Sequence, residues 1–404
     1  MIRKFTPDNI TPDKDIALQA PDFHYYDGEA EPCFHRQNRR WQSAATVAKV
    51  GGRLFVAYSG AAGIDEGPDN YNCMSYSDDD GQTWVNDYVI INHPDYVRMH
   101  EPVLWVDPEG TLWHFWAQSY VYWDSRGGVW GCKCIDPAAK YPRWTEPRRL
   151  CDGVMACKPI VRSDGTWLFP VSIWHNFPTR FNQTGREESS IYASTDGGET
   201  LTYLGGVKAP TSTFDENCIC ERADGSLLML IRVQKGINYT ESFDGGKTWT
   251  EPAAYCIPSP SARMYLGKFP SGNFFLIHHY NFEKRDHMSV LLSHDEGRSY
   301  DQVLLLDERS SVAYPDAFLD GDKVYAVYDR ARYGDKEIHM AVFREEDVLA
   351  GACVTDGARI KSVVCKSHGA LRTEEEKANR LWPREFCTPV DTRSDAPKNE
   401  QYFK

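Results

Sequence analysis

The sequence predicts an all-β fold, a six-bladed β-propeller with four antiparallel strands in each blade. Three observations predict it. Six short apolar segments are each interrupted by a glycine turn, one octapeptide recurs four times, and no stretch carries helical periodicity long enough to compete. A repeated unit of four short strands at a period of roughly 40–60 residues is typical of propeller blades.

The six interrupted segments predict β-hairpins, because they are rich in β-branched and aromatic residues on both sides of a tight turn. One of them is VAKVGGRLFVAY, residues 47–58. Successive turn glycines are 58, 55, 60, 47 and 49 residues apart, and they are Gly52, Gly110, Gly165, Gly225, Gly272 and Gly321. Each hairpin is expected to supply the two inner strands of a blade.

The octapeptide predicts the turn between the third and fourth strands of a blade. Its aspartate can accept hydrogen bonds from the backbone N–H groups of the turn, and its glycine permits a positive φ. Its last residue, Trp or a substitute, is expected to fill the gap between blades. The copies are SDDDGQTW (77–84), STDGGETL (194–201), SFDGGKTW (242–249) and SHDEGRSY (293–300), with a degenerate copy in PRWTEP (142–147).

Composition excludes some classes of function. The 404-residue chain has a formal net charge of −13, which argues against a nucleic-acid partner because a phosphate backbone requires a basic surface. The first residues, MIRKFTPDNITPDKD, contain no apolar segment, so we expect neither a signal peptide nor a membrane span, and a cytoplasmic location. The 12 cysteines are expected to be reduced, and their spacing predicts no metal site; no cofactor is expected.

Three regions are predicted along the chain: an N-terminal extension over 1–35, the propeller over 36–366 and a C-terminal tail over 367–404. The extension is expected to add a strand or to cover one face of the propeller. Residues 358–365 are expected to form the outer strand of blade six, and TEEEKANRLWPREF (373–386) one short helix. The sequence does not predict the oligomeric state.

The residues that open the first strand of each blade should surround one mouth of the central channel. Counting back seven to ten residues from each turn glycine gives six positions, and all six are polar or ionisable although the residues that follow are mostly apolar. This contrast predicts a binding site at that mouth. The six positions are Gln42, Glu101, Lys158, Glu216, Arg263 and Tyr314.

Residues 40–350 resemble the sialidase (neuraminidase) superfamily, whose six-bladed propellers carry Asp-box turns like the octapeptide. Three segments carry the resemblance: DENCICERADGSLLMLIR (215–232), KRDHMSVLLSHDEGRSY (284–300) and AYPDAFLDGDKVYAVYD (313–329). The resemblance implies a catalytic glutamate at Glu216, a nucleophilic tyrosine at Tyr314, and two arginines that bind the substrate carboxylate, Arg232 and Arg285.

The resemblance also places an acid/base residue in the loop GIDEGPDNY (63–71), where Asp65, Glu66 and Asp69 all qualify and Glu66 is slightly favoured. The chain departs from the family pattern at the first of three arginines. Counting from Gly52 puts Gln42 at that position, while Arg39 and Arg40 precede it and could reach the site only if the strand entry is shifted.

The implied chemistry suits an acidic sugar. A carboxylate on the anomeric carbon repels an anionic nucleophile, whereas a tyrosine hydroxyl stays neutral until a neighbouring carboxylate takes its proton. Tyr314 with Glu216 could therefore attack such a carbon, and arginines could bind the carboxylate bidentately.

Further residues are predicted at the mouth beyond the family pattern, namely His100, Glu101, Lys158, Arg263 and Trp174, followed by His175. Trp174 or Trp116 could stack on a sugar ring, although either could equally pack between blades. These additions make the mouth an imperfect copy of a plain N-acetylneuraminate pocket, so the substrate could be another acidic sugar.

We therefore expect a glycoside hydrolase of the exo-sialidase type, with a carboxylate-bearing carbohydrate as substrate. Two alternatives remain open. One is a propeller lyase or hydrolase acting on rhamnose–uronate linkages, in which His100, His175 or Tyr314 would be the base. The other is a non-catalytic carbohydrate-binding propeller.

Overall fold

The computed structural model describes residues 14–63, 67, 69–93, 97–120, 126–174, 187–210, 212, 216–281 and 283–378. Six antiparallel sheets follow one another along the chain, and each comes from one continuous stretch, apart from one added N-terminal strand. The predicted six-bladed β-propeller is confirmed. No helix among the described residues is both long and apolar enough to cross a membrane.

The first three blades have the following strands. Blade one contains β2 (Trp41–Val50), β3 (Arg53–Ala61), β4 (Tyr71–Ser77) and β5 (Val85–Asn92). Blade two contains β6 (Val97–Val106), β7 (Leu112–Tyr120), β8 (Gly128–Lys133) and β9 (Arg148–Asp152). Blade three contains β10 (Ile160–Val161), β11 (Trp167–Ser172), β12 (Ser189–Ser194) and β13 (Thr202–Val207).

The last three blades follow the same order. Blade four contains β14 (Asn217–Glu221), β15 (Leu227–Val233), β16 (Gly236–Ser242) and β17 (Ala253–Ala254). Blade five contains β18 (Tyr265–Lys268), β19 (Phe274–His279), β20 (Met288–Ser293) and β21 (Gln302–Asp307). Blade six contains β22 (Val312–Asp320), β23 (Lys323–Arg330), β24 (Glu337–Phe343) and β25 (Arg359–Lys366).

The two ends of the chain extend this framework. β1 (Asp22–Tyr25) pairs antiparallel with β5, so the N-terminal extension adds a fifth, outermost strand to blade one. The expected outer strand of blade six is present as β25, and α2 (Glu374–Ala378) falls in the segment where a C-terminal helix was expected, the rest of which lies outside the described residues. A short helix, α1 (Glu345–Ala350), was not expected, because six residues are too few to give a helical period.

β-bulges open the inner strands of blades one, two and six. The pairing register shifts after Ser43, after His100 and after Ala313. Each bulge holds one non-glycine residue at positive φ: Ala44 at 56°, Glu101 at 51° and Tyr314 at 53°. A bulge adds an unpaired residue and redirects its side chain, so these three residues occupy equivalent positions at the mouth of the channel.

The octapeptide turns form as expected between the third and fourth strands. In the turn at 77–84, Asp79 accepts hydrogen bonds from Thr83 N (2.8 Å) and Thr83 Oγ1 (2.6 Å), and Ser77 Oγ accepts one from Gly81 N (2.8 Å). The same pattern holds at Asp196, Asp244 and Asp295. The Thr83 hydroxyl, followed by its amide, lowers the pKa of Asp79 to about 2.

The core consists of apolar layers between neighbouring blades. The last residue of each octapeptide packs into one of these layers, which confirms the expected gap-filling role. Trp84 packs where blades six and one meet, Leu201 between blades two and three, Trp249 between blades three and four, and Tyr300 between blades four and five.

Side chains close the ring between the first and last blades. Asp316 Oδ2 in β22 accepts hydrogen bonds from Thr46 Oγ1 (2.7 Å) and Val47 N (3.0 Å) in β2. Asp329 Oδ2 in β23 accepts hydrogen bonds from Ser43 Oγ and from Ala44 N (3.3 Å). Among the strands that the structure describes, no strand of one end of the ring is inserted into the blade at the other end.

Candidate active site

The blade topology brings two sets of residues to one face of the propeller. The openings of the first strands and the connections between the second and third strands lie on the same face, because the intervening hairpin turns lie on the other. Glu216 immediately precedes β14, Arg263 lies two residues before the start of β18, and Tyr314 lies in the bulge of β22. Arg232 is near the end of β15, and Arg285 lies between β19 and β20.

Tyr314 lies at the centre of an arginine cluster. Its ring centroid is 4.4 Å from Cζ of Arg263, 5.5 Å from that of Arg285 and 4.2 Å from that of Arg332. Arg232 and Arg285 also interact electrostatically with its side chain. Only 8% of Tyr314 is exposed, so these cations act on the phenol in a poorly solvated setting.

Glu216 shares two of these arginines. Its Oε2 lies 3.0 Å from Arg232 Nη1 and its Oε1 lies 3.7 Å from Arg263 Nη2. Burial alone would raise the pKa of this carboxyl, but the charges of Arg232 and Arg263 outweigh it and hold the pKa below its usual value. Glu216 is therefore ionised at neutral pH, and it is joined to Tyr314 through Arg232.

Arg263 and Glu101 form a buried ion pair across the mouth. Burial would lower the pKa of Arg263, but Glu101 and then Glu216 raise it above its usual value. Arg263 thus lies between two carboxylates and over the face of Tyr314. Ser261, two residues earlier, accepts a hydrogen bond from Arg232 Nε on its hydroxyl (3.2 Å) and one from Arg285 Nη2 on its carbonyl (2.8 Å), which fixes the separation of those arginines.

His100 and Trp174 lie beside this group. Their ring centroids are 5.7 Å apart, and both residues are buried. Burial, then the charges of Arg98 and Arg263, holds the pKa of His100 well below its usual value, so this imidazole is neutral. Neither ring nitrogen of His100 has a hydrogen-bond partner among the described residues.

The acid/base loop is only partly described. Asp65 and Glu66 lie outside the described residues, as does His175. Asp69 is described, and its Oδ2 accepts a hydrogen bond from Gly63 N (2.6 Å), so it clamps the two ends of the loop together. The next residue, Asn70, bonds Arg98 Nε (3.1 Å) through its side chain and Met99 N (3.1 Å) through its carbonyl, which places the loop end against the strand that carries Glu101.

The structure does not bring Gln42 to the mouth. Gln42 is fully buried between blades one and six, where its amide donates to Lys336 O (2.6 Å) and its Oε1 accepts from Arg39 Nη1 (3.0 Å). Counting from Gly52 led to Gln42 because the count did not allow for the bulge. With the bulge, Ala44 occupies the position equivalent to Glu101 and Tyr314. Gln42 as a substrate-binding residue has no support from this geometry.

Lys158 is also not at the predicted position. Its Nζ lies in the channel, 2.7 Å from Asp316 Oδ2, and donates to Val47 O (2.9 Å) and Leu104 O (2.5 Å). Lys158 and Asp316 thereby join blades one, two, three and six around the axis. Lys158 also lines a cavity of about 170 Å³ with inner-strand residues such as Trp105, Leu266 and Phe318. The stacking alternative Trp116 is wholly buried in the core of blades one and two.

Arg332 was missed by the sequence reasoning. It follows β23, and its position on the connection to β24 is equivalent to that of Arg285 between β19 and β20. A comparison of the end of the second strand and the connection after it in blades four, five and six would have found it, because this region carries an arginine in each: Arg232, Arg285 and Arg332. Among the described residues, no cluster of three or more His, Cys, Asp or Glu could hold a metal ion.

Comparisons with known proteins agree with this fold and its repeats. The model of the family described as "BNR repeat-like domain" matches residues 52–326, which is more than half of the chain. The chain belongs to the BNR repeat-like family. The resemblance to the sialidase superfamily that its motifs implied is confirmed as well. A curated relative, a sialidase of Paraclostridium sordellii, is 32% identical over 149 residues, which is 36% of this chain and 35% of that protein.

Solved structures share the fold at low sequence identity. The Hadza microbial sialidase Hz136 has a TM-score of 0.63 and 18% identity, over 77% of this chain and 67% of that one. A protein of unknown function from Dyadobacter fermentans has a TM-score of 0.58 and 16% identity, over 78% and 95%. The Trypanosoma rangeli sialidase bound to the inhibitor DANA has a TM-score of 0.56 and 17% identity, over 77% and 58%. At this level of identity, these structures show that the chain shares their fold.

Proposed function

We propose that this BNR-repeat protein is an exo-glycosidase that removes a terminal sialic acid, or a related sugar with a carboxylate on the anomeric carbon, from a glycan. The observation that carries the proposal is Tyr314, which is held in a bulge at the channel mouth against three guanidiniums and interacts electrostatically with a fourth, Arg232, which also pairs with Glu216. This arrangement favours an anionic ligand at the phenol. The sialidase relative supports the same reaction class.

In the proposed reaction, the oxygen of Tyr314 attacks the anomeric carbon while its proton passes to the ionised carboxylate of Glu216. The bond from that carbon to the leaving oxygen breaks, and Asp65 or Glu66 protonates the leaving oxygen. Water then hydrolyses the tyrosyl intermediate. Arg232 and Arg285 hold the substrate carboxylate, so its charge is balanced before a neutral phenol approaches.

A panel of fluorogenic glycosides tests the proposal, carrying N-acetylneuraminate, deaminated sialic acid, glucuronate or rhamnose. We expect release from one of the two sialic acids, and we expect Tyr314→Phe to lower kcat about 10³-fold or more, because the nucleophile is lost. Glu216→Gln should reduce kcat by roughly 10²–10⁴-fold, since the proton acceptor is lost.

Tyr328→Phe is the matched control, because Tyr328 lies in the same blade but hydrogen-bonds Asp307 within the core. Equal activity of Tyr314→Phe and the parent on every hydrolysed substrate would refute the mechanism. An ultraviolet-absorbing unsaturated uronate would instead identify the lyase alternative. Binding of an acidic sugar without any turnover would identify a carbohydrate-binding protein.

A further inference from the structure

The arginine cluster around Tyr314 holds more positive than negative charge among the described residues. Four guanidiniums interact with Tyr314, those of Arg263, Arg285 and Arg332 over its ring and that of Arg232 electrostatically. Within the described part of the chain, the ion pairs of these arginines involve the carboxylates of Glu101, Glu216 and Asp329. Burial and the charges of Arg232 and Arg332 lower the pKa of Arg285, although Tyr314 opposes the shift. An anion bound here would relieve that repulsion.

Arg332 is the guanidinium nearest to the Tyr314 ring. Its Cζ is 4.2 Å from the ring centroid, compared with 4.4 Å for Arg263 and 5.5 Å for Arg285. About a tenth of its side chain is exposed, so it is shielded from bulk solvent but not sealed off. Arg263 is already held between Glu101 and Glu216, whereas Arg332 pairs with Asp329, a residue that is hydrogen-bonded to blade one.

A contact with Asp329 also orients Arg332. Its Nη2 lies 3.8 Å from Asp329 Oδ2, and the same oxygen accepts hydrogen bonds from Ser43 Oγ and Ala44 N in the blade-one bulge. Asp329 is completely buried, so the position of this carboxylate is fixed by the junction of blades one and six. The small side chain of Ala44 occupies the bulge position that carries Glu101 in blade two and Tyr314 in blade six.

The basic residues at the start of blade one are engaged elsewhere. Arg39 is fully buried and lies 2.8 Å from Asp87, and Arg40 lies 2.8 Å from Glu376 in the C-terminal helix. Gln42 is used in the blade junction. Blade one therefore offers no cation to the cluster from this segment.

We infer that Arg332 is the third carboxylate-binding guanidinium of the site, supplied by the β23–β24 connection of blade six where the family pattern uses blade one. The inference rests on the proposed function, and it adds a residue that determines specificity for an acidic sugar. Arg232, Arg285 and Arg332 then come from the end of the second strand or from the connection that follows it in three successive blades, and together they surround the substrate carboxylate beside Tyr314.

Calorimetric binding of a matched ligand pair tests the inference. The probes are 2-deoxy-2,3-didehydro-N-acetylneuraminic acid and its methyl ester, which differ only in the carboxylate charge. We expect Arg332→Met to weaken binding of the acid about 10- to 100-fold and binding of the ester by less than about 3-fold, because a charge-assisted hydrogen bond is lost only with the acid. Arg332→Lys should recover part of the affinity for the acid.

Two arginine variants serve as controls. Arg330→Met removes an arginine two residues away that pairs with Asp335 and Glu337, and it should leave both affinities unchanged. Arg40→Met tests blade one, and it should also leave them unchanged. Thermal melting and circular dichroism establish that each variant is folded.

The outcomes separate this inference from the proposed function. Suppose that the parent binds the acid, but Arg332→Met weakens binding of the acid and the ester equally or weakens binding of neither ligand. Arg332 then does not bind the carboxylate, although the proposed function stands. If Arg40→Met shows the selective loss, blade one supplies the guanidinium. If the parent binds neither this acid nor N-acetylneuraminate, deaminated sialic acid or glucuronate, both the function and the inference are wrong.

Discussion

At the scale of single residues, a one-residue bulge decides which side chain reaches the mouth. Glu101 and Tyr314 have positive φ, a conformation that costs a non-glycine residue about 1–3 kcal/mol and that is found most often at functional sites. In the first blade, the same bulge presents Ala44 and leaves Gln42 in the junction. The chemistry of the mouth therefore depends on bulge position as much as on residue type.

Lys158 offers a test at this scale, because a buried cation that holds the axis differs from one that binds substrate. We expect Lys158→Met to lower the free energy of unfolding by about 3–5 kcal/mol, since it leaves the buried carboxylate of Asp316 without its cation. Urea denaturation followed by tryptophan fluorescence measures the change. The double variant Lys158→Met, Asp316→Asn should regain part of the loss.

The opposite outcome would restore the sequence-based prediction for this residue. If Lys158→Met unfolds at the same urea concentration as the parent but binds acidic sugars more weakly, Lys158 belongs to the mouth after all.

At the scale of the elements, the octapeptide turn is a self-contained hydrogen-bonding unit. In blade four, Asp244 accepts hydrogen bonds from Lys247 N, Thr248 N and Thr248 Oγ1, while Gly246 N bonds Ser242 Oγ. These bonds form the turn that connects the third strand to the fourth, with which it pairs antiparallel. All four turns lie on the face opposite the arginine cluster. Their repeated sequence therefore serves the fold and not the candidate active site.

Asp244→Ala should therefore destabilise the protein without altering ligand binding. We expect a loss of about 1–2 kcal/mol in the free energy of unfolding at neutral pH, since four donors, including the Ser242 hydroxyl, lose a charged acceptor. The matched control is Asp224→Ala in the hairpin turn of the same blade, where the carboxylate accepts from Ser226 N and the loss should be smaller.

The same pair of proteins gives a pH dependence with a definite sign. The Thr248 hydroxyl and amide lower the pKa of Asp244 from 3.8 to about 2, so its stabilisation is complete above about pH 3.8 and is lost as the pH falls toward 2. The difference in unfolding free energy between parent and Asp244→Ala should shrink over that interval. A difference that stays constant between pH 6 and pH 3, or grows, would contradict this account.

At the scale of the whole molecule, the ring is closed by polar side chains between blades one and six. Gln42, Ser43 and Thr46 contact blade six through Lys336, Asp329 and Asp316 respectively. The junction and the site share Asp329, which bonds Ser43 and faces Arg332. Closure of the ring and placement of an arginine at the site are thus coupled.

Gln42→Leu tests the role of the junction. We expect it to lower the free energy of unfolding by about 1–3 kcal/mol, because Lys336 O and a guanidinium donor of Arg39 lose buried partners. Binding of the acidic sugar should change by less than about 3-fold in the folded protein. Unchanged urea stability together with a large loss of acid affinity would show that Gln42 belongs to the substrate pocket.

Much of the fold could be read from local pattern. The turn glycines, the octapeptides and β25 were placed correctly because each depends on a few neighbouring residues, such as an aspartate within four positions of its donors. Glu216, Arg263 and Tyr314 were brought together as predicted for the same reason: each opens an inner strand of a repeat whose period is visible in the sequence.

The sequence by itself determined the number of blades, the form of their turns and the polar character of the channel mouth. Each of these features is specified by a short segment that recurs from blade to blade. Tertiary structure alone decided that Gln42 and Lys158 join blades and that Arg332 faces Tyr314. The physical reason is that bulges shift register by a residue and closure of the ring sets the first blade against the last. Contacts between residues more than 280 positions apart, such as Ser43 with Asp329, exist only once the ring has closed.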